Sequence, residues 1–169
     1  MTLQTLPRKG ALFSPCRTYR YLLWRTWDPS KPPAMFLGLN PSTATEEIDD
    51  PTVRRCIQYA FMWGYGSLWM ANIFSFRATD PKEMKAASEP IGQDNDRIIK
   101  CAANWAGVIV AAWGNHGEHL NRAEQVEQML AGRLSCLTVT GGGHPGHPLY
   151  LKKDLKPVEY HPVMTAVMK

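Results

Sequence analysis

The first residues that could carry chemistry lie where an apolar run ends in a turn. Residues 35–39 are apolar apart from Gly38, and they are followed by Asn40, Pro41, Ser42 and Thr43. This pattern predicts a buried strand that stops at a rigid turn. The Asn40 amide can position a water molecule or a polar substrate edge, or it can simply close the turn. The hydroxyls of Ser42 and Thr43 could contact a phosphate or make local turn bonds.

A second segment combines glycines, histidines and prolines. Three glycines at 141–143 precede His144, and Pro145-Gly146-His147-Pro148-Leu149 follows. The glycines allow close backbone approach, so an imidazole at His144 could donate a hydrogen bond to an oxyanion. His147 is a second candidate in the same loop, and two nearby histidines also suit a metal. Either histidine could instead bond only to the backbone of its turn.

Two further residues follow another apolar run. Asn72 comes after residues 68–71, and an amide that accepts and donates at once suits recognition of a nucleobase edge. If it is buried, it could equally be satisfied by the neighbouring backbone. Arg77 could bind a phosphate or pair with Asp80.

The elements that must position these residues alternate along the chain. Apolar runs at residues 19–27, 34–39, 67–73, 108–113 and 134–140 predict strands. Helical spacing predicts helices that begin at Asp50-Pro51 and that cover residues 95–105 and 118–130. Apolar strands that alternate with helices predict a three-layer α/β/α fold with a mainly parallel sheet. Carboxyl ends of parallel strands share one edge, so the polar turns should meet there.

Length and composition predict one domain. The chain has 169 residues with 44% hydrophobic content, so we expect a single α/β domain with an N-terminal strand extension at 1–33, a core at 34–151 and a C-terminal tail at 152–169. The net charge of +4 permits a polyanionic partner without requiring one. There is neither a membrane-spanning run nor a signal peptide, which predicts a cytoplasmic protein, and we expect a monomer. The four cysteines are far apart in sequence and favour reduced thiols, and an iron–sulfur or zinc site assembled from all four is the open alternative.

These motifs resemble those of the uracil-DNA glycosylase superfamily in order and approximate spacing. Gly38-Leu39-Asn40-Pro41 resembles its first motif, and the strand ending in Asn72 resembles the strand that supplies a base-reading asparagine. The Trp113-Gly114 ending and the segment 144–149 resemble its later strand and its histidine-proline loop. The whole chain also resembles a family of bacterial and phage proteins known as a domain of unknown function, through the segments 13–16, 40–44, 50–52, 77–81 and 147–151.

The first resemblance implies roles by position. Asn40 would hold the attacking water, with Leu39, Pro41, Ser42 and Thr43 around the substrate. Asn72 would read the base and Arg77 would bind substrate. His144 would stabilise the departing base, and Leu149 would wedge into the duplex unless it is a core residue. No cofactor is implied. The aspartate after the glycine is absent, and Gly146-His147 replaces the usual serine, so it stays open whether His144 or His147 faces the base.

The sequence therefore predicts a glycosylase-like enzyme that cleaves the N-glycosidic bond of a nucleobase in DNA, with a modified base as one target. Such an enzyme must take the base out of the stack to reach the bond. Two alternatives stay open. The chain could be a nucleic-acid-binding module without catalysis, or an enzyme that acts on free nucleotides during phage base modification.

Overall fold

The computed structural model describes residues 6–162 as an α/β fold around one mixed sheet. Its seven strands lie in the order β1-β2-β4-β3-β5-β6-β7. Their bounds are β1 Lys9–Phe13, β2 Arg20–Thr26, β3 Pro33–Gly38, β4 Ser67–Asn72, β5 Val108–Ala111, β6 Leu134–Cys136 and β7 Val158–Glu159. The four helices are α1 Pro51–Met62, α2 Pro81–Ala86, α3 Asn95–Ala103 and α4 Arg122–Met129.

Four central strands are parallel. β3 pairs with β4 on one side and β5 on the other, and β5 pairs with β6, in each case in parallel. β1, β2 and β7 run antiparallel to their neighbours. β3 and β4 are buried at every position, as expected for strands covered on both faces. The predicted parallel core is confirmed, and antiparallel strands flank it on both sides.

Two apolar clusters form the core. One contains residues of α1 (Val53, Cys56, Tyr59 and Ala60) packed with alternate residues of β3 and β4. The other contains residues of α3 and α4, with the intervening strand residues. Successive strand side chains point to opposite faces of a sheet, so the two clusters draw on alternate residues of the same strands.

Local signals explain where α1 begins. The Asp50 side chain accepts a hydrogen bond from the Val53 N–H at 2.8 Å, and Pro51 occupies the first turn, as the sequence predicts. The same Asp-Pro pair at Asp80-Pro81 caps α2, which the sequence analysis did not predict although the signal is identical.

Two predicted boundaries are wrong. The helix predicted at 118–130 begins at Arg122, because Leu120 and Asn121 have φ near +54° and a 3-10 segment, Asn115–Asn121, precedes it. The strand predicted at 134–140 ends at Cys136, because the chain then turns and Val139 forms a bridge with Pro145 instead. The segment that the sequence analysis set apart as a tail contains β7, and Tyr160 beside it is buried.

Candidate functional site

The direction in which the chain adds strands to the sheet reverses between β3 and β5. From β3 the chain passes through α1 to β4 on one side, and from β5 it passes through α4 to β6 on the other side. The two connections therefore leave β3 and β5 towards opposite edges of the sheet. In open α/β sheets, ligands bind in the crevice that such a reversal creates at the carboxyl ends of the strands. We call the residues that follow these strand ends, 39–50 and 112–115, together with the segment 137–151 beside them, the carboxyl-edge site.

Asn40 is fixed in the first loop of this site. Its Nδ2 donates to the carbonyl oxygens of Ala78 at 2.8 Å and Pro41 at 3.2 Å. Because carbonyl oxygens only accept, the amide nitrogen must face them and Oδ1 must face away. Oδ1 accepts no hydrogen bond from the described residues. The half-buried side chain therefore presents a free acceptor for a water or a hydroxyl.

Two buried arginines of β2 hold the same loop. Arg25 donates to the Asp49 carboxylate at 2.7 Å and to the Thr45 carbonyl at 2.6 Å. Arg20 donates through Nη1 to the Ala44 carbonyl at 2.9 Å. Both arginines are nearly inaccessible. The loop that carries Asn40 is thus anchored by two buried guanidinium groups. The sequence gives no sign of this role, because an arginine in a largely apolar strand does not indicate which loop it contacts.

Asn72 is buried below the first loop. It is 2% exposed, and it lies opposite Gly38 in the parallel register of β3 and β4. A Cβ on Gly38 would lie 2.7 Å from Asn72 Nδ2, so only glycine allows this approach. Asn72 Oδ1 has no hydrogen-bond partner among the described residues. A buried acceptor without a partner costs about 1–3 kcal/mol, so this atom is a candidate contact for a ligand.

His147 presents one ring nitrogen to the backbone. Its Nδ1 accepts the Leu149 N–H at 3.2 Å, where a 3-10 turn of Pro148–Tyr150 begins. The neutral ring therefore carries its proton on Nε2. Burial lowers the pKa of His147, and the nearby Asp50 carboxylate opposes this shift. His147 is thus held as a neutral imidazole that can donate from Nε2.

His144 has a different environment. Its Nε2 lies 2.8 Å from an oxygen of Glu118, a residue of the 3-10 segment after β5. The backbone of the same loop closes on itself, because the Thr140 N–H donates to the His144 carbonyl at 2.7 Å. The resemblance assigned the oxyanion role to His144, whereas the structure places that ring against a carboxylate. Glu118 carries no sequence signal of its own, so only the structure identifies this pair.

The segment after His147 packs on α1. Arg55 of α1 donates to the Leu151 carbonyl at 2.8 Å, and the Tyr59 hydroxyl donates to the Lys152 carbonyl. Leu149 is half-buried in this segment, whereas Tyr150 is 82% exposed and its ring centroid lies 5.2 Å from that of His147. The exposed aromatic of this turn is therefore Tyr150, the neighbour of the predicted wedge residue.

Asp50 supplies negative charge beside two of these groups. The burial of Arg20 lowers its pKa to about 10, and the Asp50 carboxylate opposes that shift as it does for His147. One oxygen of Asp50 is engaged by Val53, and the other accepts no hydrogen bond from the described residues. A helix cap is the only role of Asp50 that the sequence pattern indicates. The proximity of the Asp50 carboxylate to Arg20 and His147 depends on the tertiary fold.

The remaining predicted residues lie around the first loop. Ser42 Oγ is 3.5 Å from Thr79 Oγ1, and Thr43 is exposed. Leu39 is half-buried and Pro41 is buried. Arg77 does not pair with Asp80. Its Nη1 donates instead to the Arg17 carbonyl at 3.0 Å. The structure thus brings Asn40 and Ser42 together with the residues that follow β4.

Metal-binding residues do not cluster in residues 6–162, where no group of three or more histidine, cysteine, aspartate or glutamate side chains could hold an ion. Cys56 and Cys136 are buried, and Cys16 and Cys101 are exposed. Within the same residues, no helix has the length and apolar character needed to cross a membrane.

The fold and the site define an α/β protein with polar side chains gathered at the carboxyl edge of its parallel strands. The chain belongs to the family described as "Protein of unknown function (DUF1643)", whose model matches residues 20–149. This confirms the predicted membership in a family of unknown function. No curated protein and no solved structure matches the chain.

Proposed function

We propose that the protein hydrolyses the N-glycosidic bond of a nucleobase in DNA, after the nucleotide has left the base stack. One observation carries the proposal: the carboxyl-edge site combines a fixed amide with a free acceptor at Asn40 and a neutral imidazole with a donor at His147. These are the two polar functions that hydrolysis of this bond uses.

The reaction builds positive charge on the sugar and negative charge on the departing base. Asn40 Oδ1 accepts a hydrogen bond from the attacking water and orients it towards the sugar carbon. His147 donates from Nε2 to the base as it accumulates negative charge. A preorganised donor of this kind contributes about 3 kcal/mol to the stability of the transition state. Water is the only co-reactant: the bond between the sugar carbon and the base nitrogen breaks, the water oxygen bonds to that carbon, and the proton released from the water ends on the departing base.

His147 takes the role that the resemblance gave to His144. A donor to an anion must have a free N–H, and His144 Nε2 is already engaged by the Glu118 carboxylate. Burial keeps His147 neutral at physiological pH, because the lowered pKa disfavours the imidazolium. We assign Asn72 Oδ1 as the acceptor for an N–H on the base edge, since it is buried without a partner.

The packing of the helices supports a glycosylase-like, three-layer arrangement. α1 packs on one face of the four parallel strands, and α3 and α4 pack on the opposite face. With Asn40 at the first of these strands and the histidine loop after the last, the order of motifs along the chain agrees with the resemblance.

A second candidate is hydrolysis of a free nucleoside or nucleotide. The loop that carries Asn40 also carries Glu46, Glu47, Asp49 and Asp50, and Glu118 lies after β5. Carboxylates at the rim of a site repel the phosphate backbone of a long DNA. This charge favours a small substrate with few phosphates.

A substrate panel separates these candidates. Single-stranded and duplex oligonucleotides with uracil, mismatched or modified bases are incubated with the protein beside free nucleosides and nucleotides. Released base is measured by chromatography, and abasic sites are measured in the oligonucleotides. We expect free base from at least one oligonucleotide, and a rate about a hundredfold or more lower for Asn40→Ala.

The matched control is Asn104→Ala, which removes an exposed asparagine at the end of α3. It should leave the rate unchanged. Free base from nucleotides alone would favour the second candidate. Salt-sensitive DNA binding without release of free base from any substrate would contradict both proposed activities and would favour a nucleic-acid-binding module.

A further inference from the structure

A cavity opens outside the carboxyl-edge site. Its volume is about 730 Å³, within the range of roughly 300–1,000 Å³ that small-molecule sites occupy. It lies between the turn that joins β1 to β2 and the chain that leads into α3. We call it the aromatic groove, and the lining residues that matter here are Leu12, Phe13, Cys16, Tyr19, Tyr21 and Arg97.

The aromatic side chains of the groove are held in fixed positions. The rings of Tyr19 and Tyr21 are nearly parallel, at 9°, with their centroids 6.3 Å apart. Tyr19 also meets Phe76 edge-on at 6.0 Å, and its hydroxyl donates to the Glu89 carbonyl at 2.8 Å. Gly92 packs behind both tyrosines, since a Cβ there would lie 3.1 Å from each ring. The groove therefore offers the preordered, partly exposed ring of Tyr19, which stacks on the buried ring of Tyr21.

Arg97 lines the groove together with Glu89 and Asp94, and two further arginines flank the Phe13 ring at its margin. Arg17 and Arg77 lie over the Phe13 ring, at 3.9 Å and 4.8 Å from its centroid. Arg17 pairs with the Glu46 carboxylate at 2.7 Å, and Arg97 pairs with Asp94 at 3.1 Å. Both pairs are largely exposed, and such pairs contribute little net stability, so a phosphate can replace the carboxylates. Arg77 forms no ion pair within residues 6–162.

Residues 77–78 connect the neighbourhood of the aromatic groove with the carboxyl-edge site. The Arg77 N–H donates to the Thr18 carbonyl at 3.0 Å, which joins the segment to the groove. The next residue, Ala78, accepts the amide of Asn40. A ligand that spans both places needs to cross only this segment.

We propose that the aromatic groove binds the nucleotide next to the target base, in a single-stranded stretch of DNA. Ring faces combined with arginines are the features that bind unpaired bases and their phosphates without sequence preference. A base in a duplex is stacked on both sides and cannot present its face to these rings. The inference rests on the proposed function and narrows its substrate to single strands.

Protection of a cysteine tests the groove without any catalysis. Cys16 is exposed in the groove, and its hydrogen bonds with the Ser14 and Thr18 side chains lower its pKa to about 7. Its thiolate therefore reacts readily with iodoacetamide at neutral pH. Cys101 is exposed on α3, outside the groove, and serves as an internal control. The two alkylation rates are followed by mass spectrometry, with and without a short oligothymidylate.

With the oligomer at ten times its dissociation constant, we expect Cys16 to react about tenfold more slowly and Cys101 to be unaffected. An unchanged rate at Cys16, or equal slowing at both cysteines, would overturn the inference. Equal protection of Cys16 by a duplex of the same length would also overturn it, because the groove would then not select single strands.

A charge variant provides a second test. Leu12→Glu places a carboxylate in the groove on the edge strand β1, where Leu12 is 44% exposed. Val158→Glu makes the same change at a residue 55% exposed on the opposite edge strand, β7. We expect protection of Cys16 to be lost in the first variant and kept in the second. Protection of Cys16 without any released base would support the groove while contradicting the proposed function.

Discussion

The two loops that form the carboxyl-edge site are held in different ways. The loop at 39–50 is anchored by guanidinium groups that lie in the core, from Arg20 and Arg25. The loop at 137–151 is held by Arg55 of α1, by the pairing of His144 with the exposed Glu118 and by the Tyr160 hydroxyl, which donates to the Gly143 carbonyl. One wall of the site is therefore held by two buried guanidinium groups, and the other by single hydrogen bonds.

This difference assigns different tasks to the two walls. Under the proposed function a rigid wall suits Asn40, because a water must be held in one place to attack. The outer wall carries the two histidines, one with a backbone partner and one with a carboxylate partner. Changes in the first loop should therefore cost stability, and changes in the second should alter activity with little loss of stability.

Removal of the anchors gives the largest contrast. Arg25→Ala breaks a pair whose arginine is buried and removes donors to backbone carbonyls, so we expect a loss of about 3 kcal/mol in the free energy of unfolding. Arg55→Ala removes one hydrogen bond at the outer wall and should cost about 1 kcal/mol. Urea unfolding of both variants measures the difference. Equal losses would contradict the contrast between the walls.

The two histidines should differ in activity. With the substrate identified by the panel, we expect His147→Ala to slow base release about a hundredfold, because the donor to the departing base is lost. His144→Ala should slow it only severalfold, since its ring is engaged by Glu118. Single-turnover release of the base measures both rates, and His161→Ala serves as a surface control. The reverse order would return the role to His144.

Added methyl groups test the packing of the two loops. A Cβ at Gly38 would lie 2.7 Å from Asn72 Nδ2 and 3.0 Å from Met70 Cε, so we expect Gly38→Ala to cost about 2 kcal/mol. A Cβ at Gly141 in the histidine loop meets nothing within 4 Å, so Gly141→Ala should leave stability unchanged. Thermal unfolding compares the two. A stable Gly38→Ala protein would show that Asn72 can move away.

The smallest effect is the pH dependence of stability from His147. Its pKa in the folded state lies below the ordinary value of 6.5, so the unfolded chain binds the proton more readily. The stability that comes from keeping His147 neutral is fully present above pH 6.5 and is lost as the pH falls through the lowered pKa. His147→Asn keeps an acceptor for the Leu149 N–H and removes the titration. Between pH 7 and pH 5, the wild-type protein should lose more stability than this variant in urea.

Much of the fold follows from local sequence. The apolar runs predicted the parallel strands, and Asp50-Pro51 predicted the start of α1, because both depend on neighbouring residues alone. Applied to Asp80-Pro81, the same reasoning would have found α2. The late start of α4 was not predictable, since Leu120 and Asn121 adopt positive φ although neither is a glycine.

The site was predictable only in part. The convergence of strand ends at one edge follows from parallel pairing, so the location of Asn40 and Asn72 could be predicted. The partners of the histidines could not, because they depend on how the loop at 137–151 crosses to α1 and to the segment after β5. The buried arginines were also missed, since a basic residue in an apolar strand gives no sign of which loop it supports.

The most direct test of the central claim is the crystal structure of the protein with an oligonucleotide whose target nucleotide cannot be hydrolysed. The account predicts that the extruded base lies at the carboxyl ends of β3 and β5, with His147 Nε2 in hydrogen-bond contact with the base and a water on Asn40 Oδ1. A base bound elsewhere on the protein, with Asn40 and His147 making no contact to it or its water, would contradict the account.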